Sequence, residues 1–137
     1  MALLFVYGSL KQGFPNAHVN QGRRVAGTYQ TVQPHPFYLL NGRLPCLFPQ
    51  PGQGLQVRGQ LFEVGERELA LMDALERVDE PGGYRRVVIA VQALQGDENR
   101  TEEAFVYVQD PALLQAPGPH PGPLSEYTLE HARHLRW

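Results

Sequence analysis

The sequence lacks several features that whole classes of protein require. Cys46 is the only cysteine, which excludes an intrachain disulfide and a zinc site built from several thiolates. The formal net charge is −2, so the chain lacks the positive charge of a nucleic-acid-binding protein. No apolar run approaches the ~20 residues of a membrane-spanning helix, and residues 1–5 lack the basic region of a secretory signal. These absences predict a soluble, cytoplasmic protein that binds neither nucleic acid nor membrane.

Two catalytic sequence motifs are also missing. Serine occurs at Ser9 and Ser125, and neither lies in the G-x-S-x-G motif of a serine hydrolase. His131 and His134 do not form the H-E-x-x-H motif of a zinc protease. The residues therefore argue against a serine hydrolase and against a metal site.

Glycine and proline are abundant, at 14 and 12 of the 137 residues, without a collagen-like repeat. Hydrophobic residues make up 42% and charged residues 19%, a composition that favours a folded chain. Short apolar runs separated by turns predict one α+β domain over residues 1–137. Its strands are expected to be mostly antiparallel and to curl around a core, flanked by a few short helices.

Hydrophobic patterning predicts the elements of this domain. Strands are predicted over residues 2–7, 25–32, 37–40, 55–64, 84–94 and 104–108, and helices over 17–20, 66–78 and 125–135.

Several turn and cap residues accompany these predictions. Asn16 and Ser125 are predicted helix caps, and Asn41-Gly42 is a hairpin signal. Gly59 indicates a bulge or a close backbone approach. Residues 45–54 are predicted to form a surface loop, residues 95–102 a connector, and the proline-rich segment 110–124 little regular structure.

An acidic cluster lies at the end of the predicted helix 66–78. Its members are Asp73, Glu76, Asp79 and Glu80. Glu76 follows the apolar Leu75, and partial burial there would raise its pKa to where a carboxylate can act as a general base. The alternatives are a solvated helix end or salt bridges to Arg77, Arg85 or Arg86, which are common for charged helix ends.

The first apolar strand breaks at Gly8. Backbone N–H groups that leave a sheet in this way can converge on an anion, as in the nests that bind phosphates and carboxylates. The alternative is an ordinary strand-to-loop turn, and the phosphate-binding spacing G-x-x-x-x-G-K-[ST] is missing.

Together, these segments resemble the gamma-glutamylcyclotransferase-like family. The opening Phe5-Val6-Tyr7-Gly8-Ser9-Leu10-Lys11 is similar to its N-terminal signature, and Leu71-Met72-Asp73-Ala74-Leu75-Glu76 followed by Tyr84-Arg85-Arg86 is similar to its acidic helix and following strand. A looser match covers the segment around Gly59. The resemblance runs from residue 1 to about residue 108.

The resemblance implies a small mixed β-barrel with a cavity at one end, of the γ-glutamylamine cyclotransferase type. In this family the α-amine of a γ-glutamyl group attacks its own γ-carbonyl, which yields 5-oxoproline and a free amine without a cofactor or metal. By position, the catalytic glutamate falls on Glu76, and the substrate-binding loop on Tyr7, Gly8, Ser9 and Leu10. Glu80 is the alternative catalytic carboxylate.

Two other functions fit the same residues. One is a non-catalytic protein that binds a small carboxylate or amine on the same fold. The other is a protein-interaction domain that uses the proline-rich segment, which would expose an apolar patch near Leu113 and Leu114. The presence of Glu76 favours the enzyme, with a small γ-glutamyl compound as its partner. The oligomeric state does not follow from the sequence.

Overall fold

The computed structural model of the chain describes residues 2–94 and 100–133. Its strands are β1 (Ala2–Val6), β2 (Arg23–Arg24), β3 (Tyr29–Thr31), β4 (Phe37–Leu40), β5 (Leu44–Leu47), β6 (Arg58–Val64), β7 (Arg85–Ala93) and β8 (Thr101–Val108). Its α-helices are α1 (Glu66–Leu75) and α2 (Leu129–Ala132), and short 3-10 helices lie at Ala17–Val19 and Pro111–Gln115. None of the helices in these ranges is long and apolar enough to cross a membrane.

A closed barrel forms the body of the domain. The described strands follow one another around it in the order β1, β8, β7, β3 and β6, and β6 pairs again with β1. The β1–β8 pair is parallel, whereas the other pairs of the ring are antiparallel. The predicted single α+β domain with a mixed, mostly antiparallel barrel is therefore confirmed.

β1 is buried on both of its faces. Phe5 points into the barrel core, where it joins Leu61 and Val106. Leu4 and Val6 lie on the other face and pack in a second apolar cluster that includes Met72 of α1. Successive side chains of a strand alternate between faces, so a strand covered on both sides is apolar at consecutive positions, as the sequence is here.

β4 and β5 form a separate two-stranded hairpin. Its turn residues Asn41 and Gly42 have positive φ angles of 57° and 69°. Positive φ at both positions is characteristic of the tight turns that match the twist of a hairpin. The predicted hairpin turn is confirmed.

The prediction of a loop over residues 45–54 is wrong for its first part, because Pro45 and the two residues after it belong to β5. Pro45 is paired with Leu39, whose N–H donates away from the hairpin to the carbonyl of Pro121. Leu39 and Pro45 therefore exchange no ladder hydrogen bond with each other, and the missing N–H of proline leaves no acceptor unsatisfied.

Other strand boundaries differ from the predicted ones. The strand predicted over residues 25–32 is reduced to β3, because Gly27 has a φ of 96° that interrupts an extended chain. Thr101 and Glu102 belong to β8 rather than to a connector, and residues 95–99 of that predicted connector lie outside the described residues.

Two predictions about the first helices are wrong. α1 ends at Leu75 instead of continuing to residue 78, because Arg77 adopts a φ of 57° that cannot continue a right-handed helix. Asn16 does not cap the 3-10 helix that follows it. Its side-chain amide donates to the hydroxyl of Ser9 instead, at 2.9 Å.

The start predicted for the last helix is also wrong. α2 begins at Leu129 rather than at Ser125, and its cap is Thr128, whose hydroxyl accepts a hydrogen bond from the N–H of His131. The predicted end at residue 135 lies outside the described residues.

A buried contact ties the segment before α2 to the N-terminal loop. The ammonium of Lys11, the one lysine in the sequence, donates to the carbonyl of the fully buried Tyr127. It also lies 4.2 Å from the centre of the Phe14 ring. Burial lowers the pKa of Lys11 to about 8. The segment before α2 is thereby joined to the loop that follows β1.

Gly59 of β6 lies against β1. A Cβ atom at this position would lie 2.4 Å from the carbonyl oxygen of Val6 and 2.8 Å from the Phe5 ring. The predicted close backbone approach at Gly59 is confirmed, and it lets the two strands pair across the barrel wall.

We expect Gly59→Ala to lower the free energy of unfolding by about 1–3 kcal/mol, the usual result of forcing extra atoms into a packed interior. Gly65→Ala is the matched control, because a Cβ there would meet the flexible carboxylate end of Glu68 at 3.3 Å. Urea unfolding of both variants measures the difference. Equal stability of the two variants would contradict the close approach.

Candidate active site

A cavity opens where β1 leaves the barrel, beside the C-terminal end of α1. It is partly open to solvent and is lined by Phe5, Val6, Tyr7, Gly8, Ser9, Leu10, Pro45, Glu76, Tyr84 and Tyr107. All five residues predicted as a catalytic and substrate-binding set are among them. The structure thus brings the loop after β1 and the carboxylate at the end of α1 to one cavity.

The loop after β1 has backbone N–H groups that are available to bind a ligand. The carbonyl groups of Gly8 and Ser9 accept hydrogen bonds from the N–H groups of Lys11 and Asn16, at 3.1 Å and 2.9 Å, which fixes the path of the loop. Within residues 2–94 and 100–133, the N–H groups of Gly8, Ser9 and Leu10 have no hydrogen-bond partner. Unpaired N–H groups at the wall of a cavity favour an anionic ligand.

Gly8 is needed for space rather than for an unusual backbone angle. Its φ lies outside the left-handed region, so that explanation for the glycine is excluded. A Cβ atom at Gly8 would lie 3.0 Å from the side chain of Pro45, which also lines the cavity. A larger side chain would therefore press on this wall of the cavity.

Glu76 is placed by the way α1 ends. Its N–H donates to the carbonyl of Met72 in the last helical turn, and its own carbonyl accepts from the N–H of Tyr84, both at 2.9–3.0 Å. The residue is half-buried. In the described part of the chain, no cation and no hydrogen-bond donor pairs with its carboxylate. Burial alone therefore raises the pKa of Glu76, from 4.5 to about 7.

The neighbouring carboxylates behave differently. Asp73 forms an ion pair with Arg86 at 2.6 Å, and the exposed Glu80 pairs with Arg77. The salt-bridge alternative thus holds for Asp73 and Glu80 but not for Glu76. Glu80 does not line the cavity, which argues against it as the alternative catalytic group.

Two tyrosines of the cavity wall were not predicted as site residues. Tyr84 comes just before β7 and Tyr107 lies within β8, so both reach the cavity through the pairing of these strands. The sequence gives a partial signal for Tyr84, which opens the strand after the acidic helix. Nothing local distinguishes Tyr107 from the other residues of its strand.

Metal binding finds no support in the described ranges. There, no group of three or more His, Cys, Asp or Glu side chains lies close enough to hold a metal ion. The predicted absence of a metal and of a cofactor stays a prediction.

Comparison with known proteins gives consistent matches. A family model described as "Gamma-glutamyl cyclotransferase, AIG2-like" matches residues 4–129. The gamma-glutamylaminecyclotransferase of Homo sapiens is 37% identical over 111 residues, which are 75% of this chain and 70% of the human protein. Gamma-glutamylaminecyclotransferase B of Danio rerio is 34% identical over 127 residues, 85% of this chain. The match spans 65% of the length of that fish protein.

A solved structure extends the match to three dimensions. The crystal structure of an AIG2-like protein from Mus musculus superimposes with a TM-score of 0.78 and 31% sequence identity. The superposition covers 100% of this chain and 95% of the mouse chain.

The half-buried Glu76 carboxylate predicts a pH-dependent stability. Its raised pKa means that the folded state binds more protons than the unfolded state between pH 4.5 and about 7. The contribution of Glu76 to stability therefore falls as the pH rises through this window, by up to about 3.5 kcal/mol at ~1.4 kcal/mol per pKa unit.

Glu76→Gln removes this penalty, because the amide is neutral at every pH. We expect the variant to exceed the parent protein in unfolding free energy at pH 8 and to match it near pH 4. Urea unfolding at several pH values measures both. A stability difference that is independent of pH would mean that Glu76 is not desolvated.

Proposed function

Because the chain belongs to the AIG2-like gamma-glutamyl cyclotransferase family, we propose that it is an enzyme that cyclises the glutamyl group of a γ-glutamyl amine. The products are 5-oxoproline and the free amine. One observation carries the proposal: a carboxylate with a pKa of about 7 shares a cavity with the backbone N–H groups of a loop, and none of these groups has a partner among the described residues. The names of the human and fish relatives support an amine as the leaving group.

Glu76 serves as the general base and then as the general acid. A free α-amine has a pKa near ~8, so much of it is protonated and non-nucleophilic near neutral pH. The Glu76 carboxylate takes the proton, and the amine nitrogen forms a bond to the γ-carbonyl carbon. The bond from that carbon to the leaving nitrogen breaks, and this nitrogen receives the proton from Glu76. The ring nitrogen then gives its second surplus proton to the Glu76 carboxylate, which passes it to the released amine. Glu76 is thereby ionised again, and the amine leaves as an ammonium ion. The reaction as written consumes no water and needs no metal or redox partner.

The loop from Tyr7 to Leu10 binds the glutamyl end. Its N–H groups suit the substrate α-carboxylate or the oxyanion that develops on the γ-carbonyl. The glutamyl chain must also bend until nitrogen and carbonyl carbon meet. A narrow cavity that holds this bent form supplies an orientation effect, which can reach ~7–11 kcal/mol in intramolecular reactions.

Ser9 contributes a side-chain donor to the same wall. Its hydroxyl oxygen accepts from the Asn16 amide at 2.9 Å, which leaves the hydroxyl proton available for a ligand. The backbone donors of the loop do not depend on this side chain.

The rival functions are less well supported. Leu113 and Leu114 are half-buried against an apolar cluster of Leu40, Cys46 and Phe48, and so do not form the exposed patch that an interaction domain would use. A non-catalytic protein that binds an amine could use the same carboxylate, and it is the names of the relatives, which are cyclotransferases, that favour the enzyme. The predicted cytoplasmic location stays a prediction.

The first experiment measures 5-oxoproline release from a panel of γ-glutamyl compounds. The panel includes γ-glutamyl-ε-lysine, glutathione and γ-glutamyl dipeptides. We expect γ-glutamyl-ε-lysine or another γ-glutamyl amine to be turned over. If no compound of the panel releases 5-oxoproline, the result would favour the non-catalytic binding protein.

Glu76→Gln should lower turnover of a confirmed substrate by about 10²-fold or more, the usual contribution of a general base. In the parent enzyme, activity should rise as the pH increases through about 7, because Glu76 must be ionised to accept a proton. Glu80→Gln is the matched control, since Glu80 is exposed and lies away from the cavity. Comparable losses in the two variants would refute the assignment of Glu76.

Gly8 and Ser9 should differ in their sensitivity to substitution. Gly8→Val should abolish binding, because its side chain would press against Pro45 and close the wall of the cavity. Ser9→Ala should cost less than about tenfold in kcat/KM, because it removes one hydroxyl and keeps the backbone donors. Steady-state kinetics on one substrate compare them. A Gly8→Val enzyme with normal kinetics would show that substrate does not reach this loop.

A further inference from the structure

The hydroxyl groups of the cavity tyrosines differ in how fully they are hydrogen-bonded. Tyr7, Tyr84 and Tyr107 all line the cavity. A tyrosine hydroxyl can donate one hydrogen bond and also accept. The Tyr7 hydroxyl donates to the carbonyl of Tyr107 at 2.7 Å and accepts from the N–H of Leu47 at 3.2 Å. Both roles of Tyr7 are therefore filled by the protein.

The hydroxyl of Tyr84 likewise has both of its hydrogen-bonding roles filled by the protein. Its hydroxyl donates to the carbonyl of Pro45 at 2.9 Å and lies 3.4 Å from the thiol of Cys46. Burial raises the pKa of Cys46 to about 12, so the thiol keeps its proton and can donate it to the Tyr84 oxygen. Tyr84 thus has little capacity left for a ligand.

Among the described residues, the hydroxyl of Tyr107 donates a hydrogen bond but accepts none. Its hydroxyl donates to one carboxylate oxygen of Asp73 at 2.7 Å, and the other oxygen of Asp73 accepts from Arg86 at 2.6 Å. An ion-paired carboxylate accepts hydrogen bonds and cannot donate them, so the direction of the Tyr107–Asp73 bond is fixed. Among the described residues, no group donates to the Tyr107 oxygen. That oxygen can therefore accept a hydrogen bond from a ligand.

On the basis of the proposed function, we propose that the Tyr107 hydroxyl oxygen binds the α-amine of the glutamyl group, and that Asp73 is the residue that positions it. The α-ammonium group is the donor-rich part of the substrate, with three N–H bonds. Glu76 can accept one of these protons, and Tyr107 can hold the nitrogen through another. A nitrogen held at two points has its emerging lone pair directed toward the γ-carbonyl, which the cyclisation requires.

The surroundings of Tyr107 keep it in this role. Burial, followed by the hydrogen bond and charge of Asp73, raises the pKa of Tyr107 well above its usual range. The hydroxyl therefore stays protonated, and its proton stays on the side of Asp73. A phenolate would lose this fixed orientation.

The test compares two ligands by NMR titration, without any need for turnover. L-Glutamine is the simplest γ-glutamyl amide, and glutaramate is the same chain without the α-amine. Parent protein should bind L-glutamine more tightly than glutaramate. Tyr107→Phe should weaken L-glutamine binding about tenfold, as expected for one hydrogen bond to a charged group, and should leave glutaramate binding unchanged.

Two further variants separate this role from a loss of structure. Asp73→Asn can donate its amide N–H to the Tyr107 oxygen, so it should also weaken L-glutamine and spare glutaramate. Tyr84→Phe is the matched control, because it removes a hydroxyl from the same cavity that has both roles filled. Its effect on the two ligands should be the same, so their ratio of affinities should not change.

The outcomes are distinguishable from those of the cyclotransferase assay. If L-glutamine and glutaramate weaken equally in Tyr107→Phe, or if neither changes, the assignment of Tyr107 is overturned even where 5-oxoproline is released. If the selective loss is seen but the γ-glutamyl panel stays silent, the amine site stands and the catalytic proposal fails. A parent protein that does not prefer L-glutamine overturns the amine site directly.

Discussion

The double pairing of β1 is the constraint on which the rest of the structure depends. This strand bonds to β6 on one side and to β8 on the other, and it thereby closes the barrel. Its inner face carries Phe5 into the core, while its outer face packs against Met72 of α1. The loop that follows β1 and the helix that carries Glu76 are consequently both placed by one strand. Their meeting at one cavity is a result of that arrangement.

The cavity concentrates polar groups whose hydrogen-bonding capacity the protein does not use. The Glu76 carboxylate has no cation, the loop N–H groups have no acceptor and the Tyr107 oxygen has no donor in the described part of the chain. Elsewhere buried polar groups are mostly paired, as in proteins generally. Hydrogen-bond donors and acceptors that lie together without partners are unfavourable for folding. They are favourable for binding a ligand that has both a carboxylate and an amine.

Hydrophobic patterning predicted one α+β domain, whereas the barrel and the five cavity residues were predicted by a family resemblance. The motifs that carry this resemblance are local: an apolar run that ends in a glycine, and an acidic helix end. The pKa of Glu76 was also predictable in direction from its apolar neighbours. The strand at Pro45 was missed because it depends on the distant Pro121, which takes the N–H of Leu39. Tyr107 was missed because its hydrogen-bond partner is set by how the strands and α1 are placed relative to each other. The cap of α2 was also missed, because burial of Tyr127 fixes the chain so that Thr128 rather than Ser125 precedes the helix.

The burial of Lys11 has a consequence for chemical labelling. Since the sequence holds no other lysine and this one is 5% exposed, the folded surface presents no lysine amine to acylating reagents. Modification of Lys11 requires the segment around Tyr127 to separate from the N-terminal loop. The rate of Lys11 acylation therefore reports how often these two segments separate, a local opening event that can be followed without any engineered probe.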